Sequence, residues 1–366
     1  MKQYKVLKKF PHQFFFFTGL KIRSFLLKIS EKLVPAPFAV YEKAQGLWVS
    51  RAIATACELD LADILDDGPM HISDLARLSH THEEALYRLM RTLCGEGIFE
   101  ELPGKVFINN KLSSSLKDGD QSMKYMILHH FGDNQVILFS HLTESLQTGK
   151  DNALKYLGKS AFDFLESNPG KNEIYNKAMD NSSELVALAL LSSYSFDGIR
   201  TLVDLGGGHG LLLAAILEKY PKIKGILFDQ PHVVDMALNA DIHPDIKKRI
   251  EIVKGDFFED IPPAADAYFM KNILHAFSDE QCLHLLKKIH AVMADQGKII
   301  ILETLIEPGN KPALGKRLDL VMMAGTEGGR ERTREEFRML LEQSGIEIKK
   351  IIRTVAPFWV IEVIKK

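Results

Sequence analysis

The chain has 366 residues, 46% hydrophobic and 26% charged, with 46 Lys+Arg against 48 Asp+Glu for a net charge of −2. That composition belongs to an ordinary globular protein long enough for two domains, and its charge balance excludes a chain whose main task is to coat nucleic acid. The cysteines Cys57, Cys94 and Cys282 form no CxxC pair or metal-ligand cluster, as expected of reduced thiols in a cytoplasmic protein, and no apolar run approaches the ~18–20 residues that span a bilayer.

Residues 1–35 form a basic, aromatic extension with eight Lys/Arg against Glu31 alone and a four-Phe run at Phe14–Phe17. Lys21, Arg23 and Lys28 interrupt any signal-peptide h-region, and no small-residue cleavage site follows. The expected role is to bury its aromatics against the body of the fold or a second subunit, in preference to lying on a membrane surface as a basic amphipathic helix.

Residues 36–195 read almost entirely helical. "FAVYEKAQGLWVSRAIATACELDLADIL" carries apolar residues at three- and four-residue intervals without a Gly-Pro break. The helices "SDLARLS" and "EEALYRLMRTLCGEG" and the hairpin "FEELPGKVFIN" then give a winged-helix outline. The second of these helices sets Arg88 and Arg91 against Glu83, Glu84 and Glu96, too acidic for a major-groove reader. A packing or dimerisation module fits better than a DNA-binding one.

From residue 196 strands and helices alternate, as in a parallel sheet with helices on both faces. The spacing predicts strands at Thr201–Leu205, Gly225–Asp229, Ile250–Lys254, Ala267–Met270 and Lys298–Glu303, with helices at Leu211–Lys219, Asp279–Ala294 and Arg334–Ser344. Ile346–Thr354 and Phe358–Ile364 lack a helix between them and must pair as an antiparallel hairpin.

Ligands of such sheets bind beyond the carboxyl ends of the strands, where Gly206, Gly207, Gly208 and Gly210 follow the first strand. A dinucleotide fingerprint begun at Gly206 would need a small residue at 211, and the chain has Leu211. Asp204, just before the turn, would welcome a cationic cofactor and repel a pyrophosphate. Asp229 is placed for ribose hydroxyls, Asp256 for an adenine amino group and Phe257 for the flank of that ring. This ordered set favours S-adenosylmethionine over a nicotinamide dinucleotide.

With these motifs in place, the sequence from about residue 36 resembles the plant caffeate/hydroxyindole type of S-adenosylmethionine-dependent O-methyltransferase. "VDLGGGHG", "FDQPHVV", "GDFFEDIP", "FMKNILHAFSDEQCLHLLKKIHAVM", "DLVMMAGTEGGRERTREEFRMLL" and "YNKAMDNSS" carry the likeness. The resemblance implies a class I methyltransferase, Rossmann-like α/β sheet of six parallel strands and one antiparallel strand. It also implies an N-terminal, mostly helical, winged-helix-like dimerisation domain, and a homodimer in which a neighbouring subunit helps close each site.

The resemblance further implies His275 as the base that takes the acceptor's proton, oriented by Glu303 and Glu331. Lys271 matches a cofactor-contacting lysine, and Ser183 a serine that reaches the methionine carboxylate. Tyr175, Met179, Met322 and Met323 match positions lining the pocket of a small hydroxylated acceptor, and plain core packing would equally explain the methionines. No metal is implied. Family members often carry Asp-Trp after the histidine, where this chain has Ala276-Phe277, which leaves the acceptor open. Other readings keep the fold and cofactor but change the chemistry to that of a decarboxylase, hydroxylase or pericyclase; a winged-helix regulator and a dehydrogenase complete the alternatives.

Overall fold

The computed structural model describes residues 13–366 except 120–121, 232, 235–241 and 263–264. Residues 1–12 of the N-terminal extension lie outside the described residues. The chain folds as two compact units, Phe14–Val136 with Pro169–Ser182 and Ile137–Asn168 with Ser183–Lys366. Cuts at residues 35 and 195 do not coincide with these units. The helix Pro169–Ser193 runs through the division at residue 182, and it carries no Gly or Pro there to mark a boundary.

The first unit begins with helices Gln13–Lys32, Ala36–Ala44 and Gly46–Glu58. Of the two covers expected for the Phe-rich extension, the body of the fold or a second subunit, the first does not take all of its apolar side chains: Phe15, Phe25 and Leu26 are 70%, 63% and 58% exposed. Further on, β1 (Met70–His71), β2 (Phe99–Leu102) and β3 (Val106–Asn109) form an antiparallel sheet in the order β1-β3-β2, beside helices Ile72–Leu78 and Glu83–Gly95. Their shared core includes Leu61, Ile72, Leu75, Leu86, Met90, Phe99 and Phe107. One charge is taken into this unit, the Lys124 ammonium, held 2.6 Å from Asp60 and 2.7 Å from Asp63.

The second unit carries the large sheet. Its strands are β4 (Thr201–Leu205), β5 (Lys224–Asp229), β6 (Ile250–Lys254), β7 (Ala267–Lys271) and β8 (Lys298–Glu303). A two-residue parallel pair, β9 (Leu305–Ile306) with β10 (Arg332–Thr333), stands apart from it. β11 (Ile346–Arg353) and β12 (Trp359–Lys365) complete the order β11-β12-β8-β7-β4-β5-β6. β12 is antiparallel to both of its neighbours and the remaining pairs are parallel, so six strands point one way and one the other. The chain leaves β4 toward β5 and β6, then crosses back to β7, which opens a crevice at the carboxyl end of β4.

The central strands are continuous apolar runs because both faces of the sheet are covered. Leu202, Phe269 and Ile300 pack on one side with helix Leu211–Lys219; Val203, Tyr268 and Ile301 pack on the other with Asp279–Val292 and Arg334–Glu342. The two latter helices are each started by a capping box, Ser278 with Gln281 and Thr333 with Glu336. Phe269 lies fully buried in the middle of the sheet with its ring edge-on to Phe196. Its replacement by Ala should lower unfolding free energy by about 3–5 kcal/mol, read from urea melts. A loss under about 1 kcal/mol would show that this layer is not the core of the unit.

Candidate active site

The glycine turn between β4 and helix Leu211–Lys219 is shaped by close approach. Gly206 has φ +68°, and a Cβ there would come within 2.5 Å of Ile273. A Cβ on Gly207 would sit 2.6 Å from Asp204 Oδ2, so the buried carboxylate lies directly beneath the turn. Burial, seconded by the charge of Asp229 and opposed by Lys271, pushes the Asp204 carboxyl up to about 7. At the end of β5, Asp229 Oδ2 accepts from the Gly208 N–H at 2.8 Å and Oδ1 from the Gln230 N–H at 2.7 Å.

Asp256 is exposed after β6 and accepts the Phe258 N–H at 2.8 Å, the bond of a turn aspartate. Phe257 stands against an aromatic group, 4.8 Å from Phe258 and 5.8 Å from Phe277 by ring centroids. Phe277, in the place where relatives often carry tryptophan, also stacks at 6.3 Å on Phe162. Lys271 ends β7 and donates to Ser183 Oγ at 3.1 Å. These groups form a cradle with carboxylates toward a cation and hydroxyls, no cluster of cations for a pyrophosphate, and Leu211 opening the helix. S-adenosylmethionine fits it.

Beyond β7 the chain turns through Asn272 in the left-handed region, φ +56°, into a 3₁₀ turn Leu274–Ala276 that carries His275. His275 Nδ1 lies 2.8 Å from Glu331 Oε1. The Glu331 side chain has no exposure, while 15% of the imidazole remains accessible. Glu331 Oε2 accepts from the Thr304 hydroxyl, and its backbone N–H donates to Asp319 Oδ1 at 3.0 Å. A carboxylate on Nδ1 makes that nitrogen the N–H and leaves Nε2 as the lone-pair acceptor.

Glu303 also holds the backbone of the turn that carries the ring. Its Oε1 accepts the backbone N–H groups of Leu274 at 2.7 Å and His275 at 3.3 Å. Its charge still reaches the imidazole: burial pulls the His275 pKa down, but the Glu331 hydrogen bond and the Glu303 charge outweigh it, and the net direction is upward. The ligand-capable atoms of His275, Glu303 and Glu331 lie within 4.8 Å of one another, a composition that could hold a metal ion. Of these atoms, His275 Nδ1, Glu303 Oε1 and both oxygens of Glu331 already take part in the bonds just described.

Of the acceptor-lining positions, Met322 and Met323 are half-buried on helix Leu314–Gly325 of this unit. Tyr175 and Met179 belong to the other unit, where the Tyr175 ring meets His129 at 5.2 Å. Sequence reading passed over Thr304, Asp319 and Arg332. Thr304 and Arg332 directly follow the two glutamates, and that adjacency was the available signal.

Comparison with known proteins agrees with this geometry. Residues 139–347, more than half the chain, match the O-methyltransferase domain family, and residues 41–118 match the O-methyltransferase dimerisation domain. The chain is 32% identical over 330 residues to a phenazine O-methyltransferase of Lysobacter antibioticus, covering 90% of this chain and 96% of that one. It is 32% identical over 308 residues to the mitomycin biosynthesis 6-O-methyltransferase of Streptomyces lavendulae, covering 84% and 88%. The structure is similar to that of human N-acetylserotonin methyltransferase in complex with S-adenosylmethionine, with a TM-score of 0.84, 27% identity and coverage of 91% and 98%. A glycine cradle for a cationic nucleoside, a histidine keyed by a buried glutamate and two matched domains lead to one conclusion: the chain belongs to the S-adenosylmethionine-dependent O-methyltransferases that carry an N-terminal dimerisation domain.

Proposed function

We propose that the protein methylates a hydroxyl of a small aromatic or polyketide-like metabolite, with His275 as general base. The observation that carries this reading is the 2.8 Å bond from Nδ1 to a fully buried Glu331, which leaves Nε2 free to accept a proton. The names of two relatives give a phenazine and N-acetylserotonin and that of the third mitomycin biosynthesis, which supports a ring-bearing acceptor. All are methyltransferases, and none supports the decarboxylase, hydroxylase, pericyclase or regulator readings.

S-adenosylmethionine, when bound, supplies a methyl group already activated on a sulfonium. The work left to the chain is to place the acceptor and remove its proton. A phenol, with a pKa near ~10, is a weak nucleophile until deprotonated. His275 Nε2 would take that proton from the acceptor hydroxyl, and Glu331 would stabilise the imidazolium. Asp204, Asp229, Lys271 and Ser183 would hold the cofactor with Gly206 and Gly208, and Asp256 and Phe257 would meet its adenine. Met322, Met323, Tyr175 and Met179 would contact the acceptor.

The dimerisation-domain match and the exposed apolar side chains of Gln13–Lys32 support assembly of two copies. Contact of that basic, aromatic helix with a membrane surface is the second, less favoured role. Among the described residues no helix is long and apolar enough to cross a membrane. The three free cysteines are in keeping with a reducing, cytoplasmic setting.

A screen of hydroxyphenazines, hydroxyquinones and aminohydroxybenzoates with methyl-labelled cofactor, read by mass, identifies the acceptor. On that acceptor His275→Ala should cut kcat ~10²–10⁴-fold with cofactor affinity within a few-fold. Because the working form is neutral and the imidazole pKa is raised, the acid limb of kcat should fall above the ordinary histidine value of 6.5. Glu331→Gln removes a negative neighbour and should move that limb to lower pH while lowering kcat. Unchanged turnover of His275→Ala, or an acid limb unmoved by Glu331→Gln, would remove the base assignment.

The ionised Asp204 is the form that attracts a cation, and its carboxyl is held near pH 7. Protonation below that pH competes with binding, so cofactor Kd should rise about tenfold from pH 8 to pH 6. Asp204→Asn should flatten the dependence, as measured by calorimetry. A Kd constant over that range in the wild type would show that this carboxylate does not meet the cofactor.

A further inference from the structure

Arg332 is the largest of the fully buried side chains, with 1% exposure, and the methyl-transfer chemistry gives it no task. Burying a guanidinium is costly unless its donors are satisfied. Here the partners converge on one short stretch of chain. Nη1 donates to the Leu274 carbonyl at 2.7 Å, and Nη2 to the Phe277 carbonyl at 3.2 Å. Nε and Nη2 both reach Asp279 Oδ1, at 2.9 and 2.6 Å. The Leu274 carbonyl also accepts from Cys282 Sγ at 3.2 Å, and the His275 carbonyl from the Arg330 N–H at 2.8 Å. On the amide side, Glu303 takes the N–H groups of Leu274 and His275. The peptide groups on both sides of His275 are therefore tied down.

Glu331 and Arg332 are consecutive in an extended segment, where neighbouring side chains point to opposite faces. One glutamate meets the imidazole and the next residue meets the turn beneath it. The pair β9–β10, with Arg332 opposite Leu305, fixes both at once.

We propose that Arg332 is a positioning residue for methyl transfer: its guanidinium fork clamps the carbonyls of Leu274 and Phe277 and so fixes the turn from which His275 projects. The proposal rests on the reading of His275 as the base. The planar fork, with donors to two carbonyls and a carboxylate, is something lysine cannot reproduce. Misplacing a catalytic group by about 1 Å costs on the order of 10²-fold.

The test uses the full-length enzyme with S-adenosylhomocysteine bound and histidine labelled with ¹⁵N. The low-field Nδ1–H signal of His275, identified by its loss in H275A, should shift or broaden in R332K. Its titration should also change when the fork is removed in R332M. On the screened acceptor R332K should lose ~10–100-fold in kcat, with acceptor KM and cofactor Kd within a few-fold. D279N releases the outer anchor of the fork from an exposed position, so it gives the same signals, more weakly, if the Arg332 variants fail to fold.

In the H275A background R332K should add no further loss, since the clamp acts through the imidazole. An unchanged imidazole signal and titration in both R332K and D279N would overturn the proposal, as would a kcat loss that persists in full in H275A. The signal needs no acceptor, so it judges the clamp separately from the base assignment, which wild-type turnover of H275A would defeat.

Discussion

The contact of Glu331 with the Nδ1 edge of His275 at 2.8 Å is the constraint on which the rest of the site depends. A histidine on a 3₁₀ turn can present either nitrogen, and only one tautomer leaves Nε2 able to accept a proton. Glu331 decides the matter because it is itself immobilised by Thr304 through its second oxygen and by Asp319 through its backbone. The same carboxylate steadies the cation that forms when the proton arrives. Without it the imidazole would keep its place in the chain but lose its orientation.

The large sheet supplies the frame for this contact. β7 and β8 are adjacent and parallel, so the turn bearing His275 and the end of β8 bearing Glu303 emerge at the same edge. The same edge carries the glycine turn after β4, with Asp204 beneath it and Asp229 beside it. Asp204 is held near neutrality by burial, which makes it sensitive to a cation nearby. In the proposed reading, the groups that would hold a positively charged cofactor and the base for an acceptor hydroxyl thus share one end of one sheet. That is why a reaction needing both can run there.

Much of this was legible in the chain itself. β4, β6 and β8 match their expected bounds, and β5 and β7 do so to within a residue, because each is an apolar run ended by turn residues or a carboxylate. The absence of a crossover helix before the final strand announced the antiparallel hairpin. Other features were hidden for physical reasons. The pair Leu305–Ile306 and Arg332–Thr333 is too short to show a period, yet it brings Glu331 to the ring. Glu303 could be named from its motif, but its grip on backbone N–H groups depends on a turn that no periodicity reveals. Arg332 lay in a charged run that reads as solvated surface, since arginine is seldom fully buried without partners. The N-terminal helix is a different case: composition says its aromatics need cover by the fold or by a second subunit, and within the one chain Phe15 and Phe25 stay exposed.

The central claim is that Nε2 of His275 faces the hydroxyl to be methylated while Nδ1 stays with Glu331. A crystal structure with S-adenosylhomocysteine and the screened acceptor tests it most directly. The acceptor oxygen should lie within about 2.6–3.2 Å of Nε2, with the Glu331 bond intact. An acceptor oxygen turned to another side chain, or an imidazole rotated so that Nδ1 has left Glu331, would contradict it.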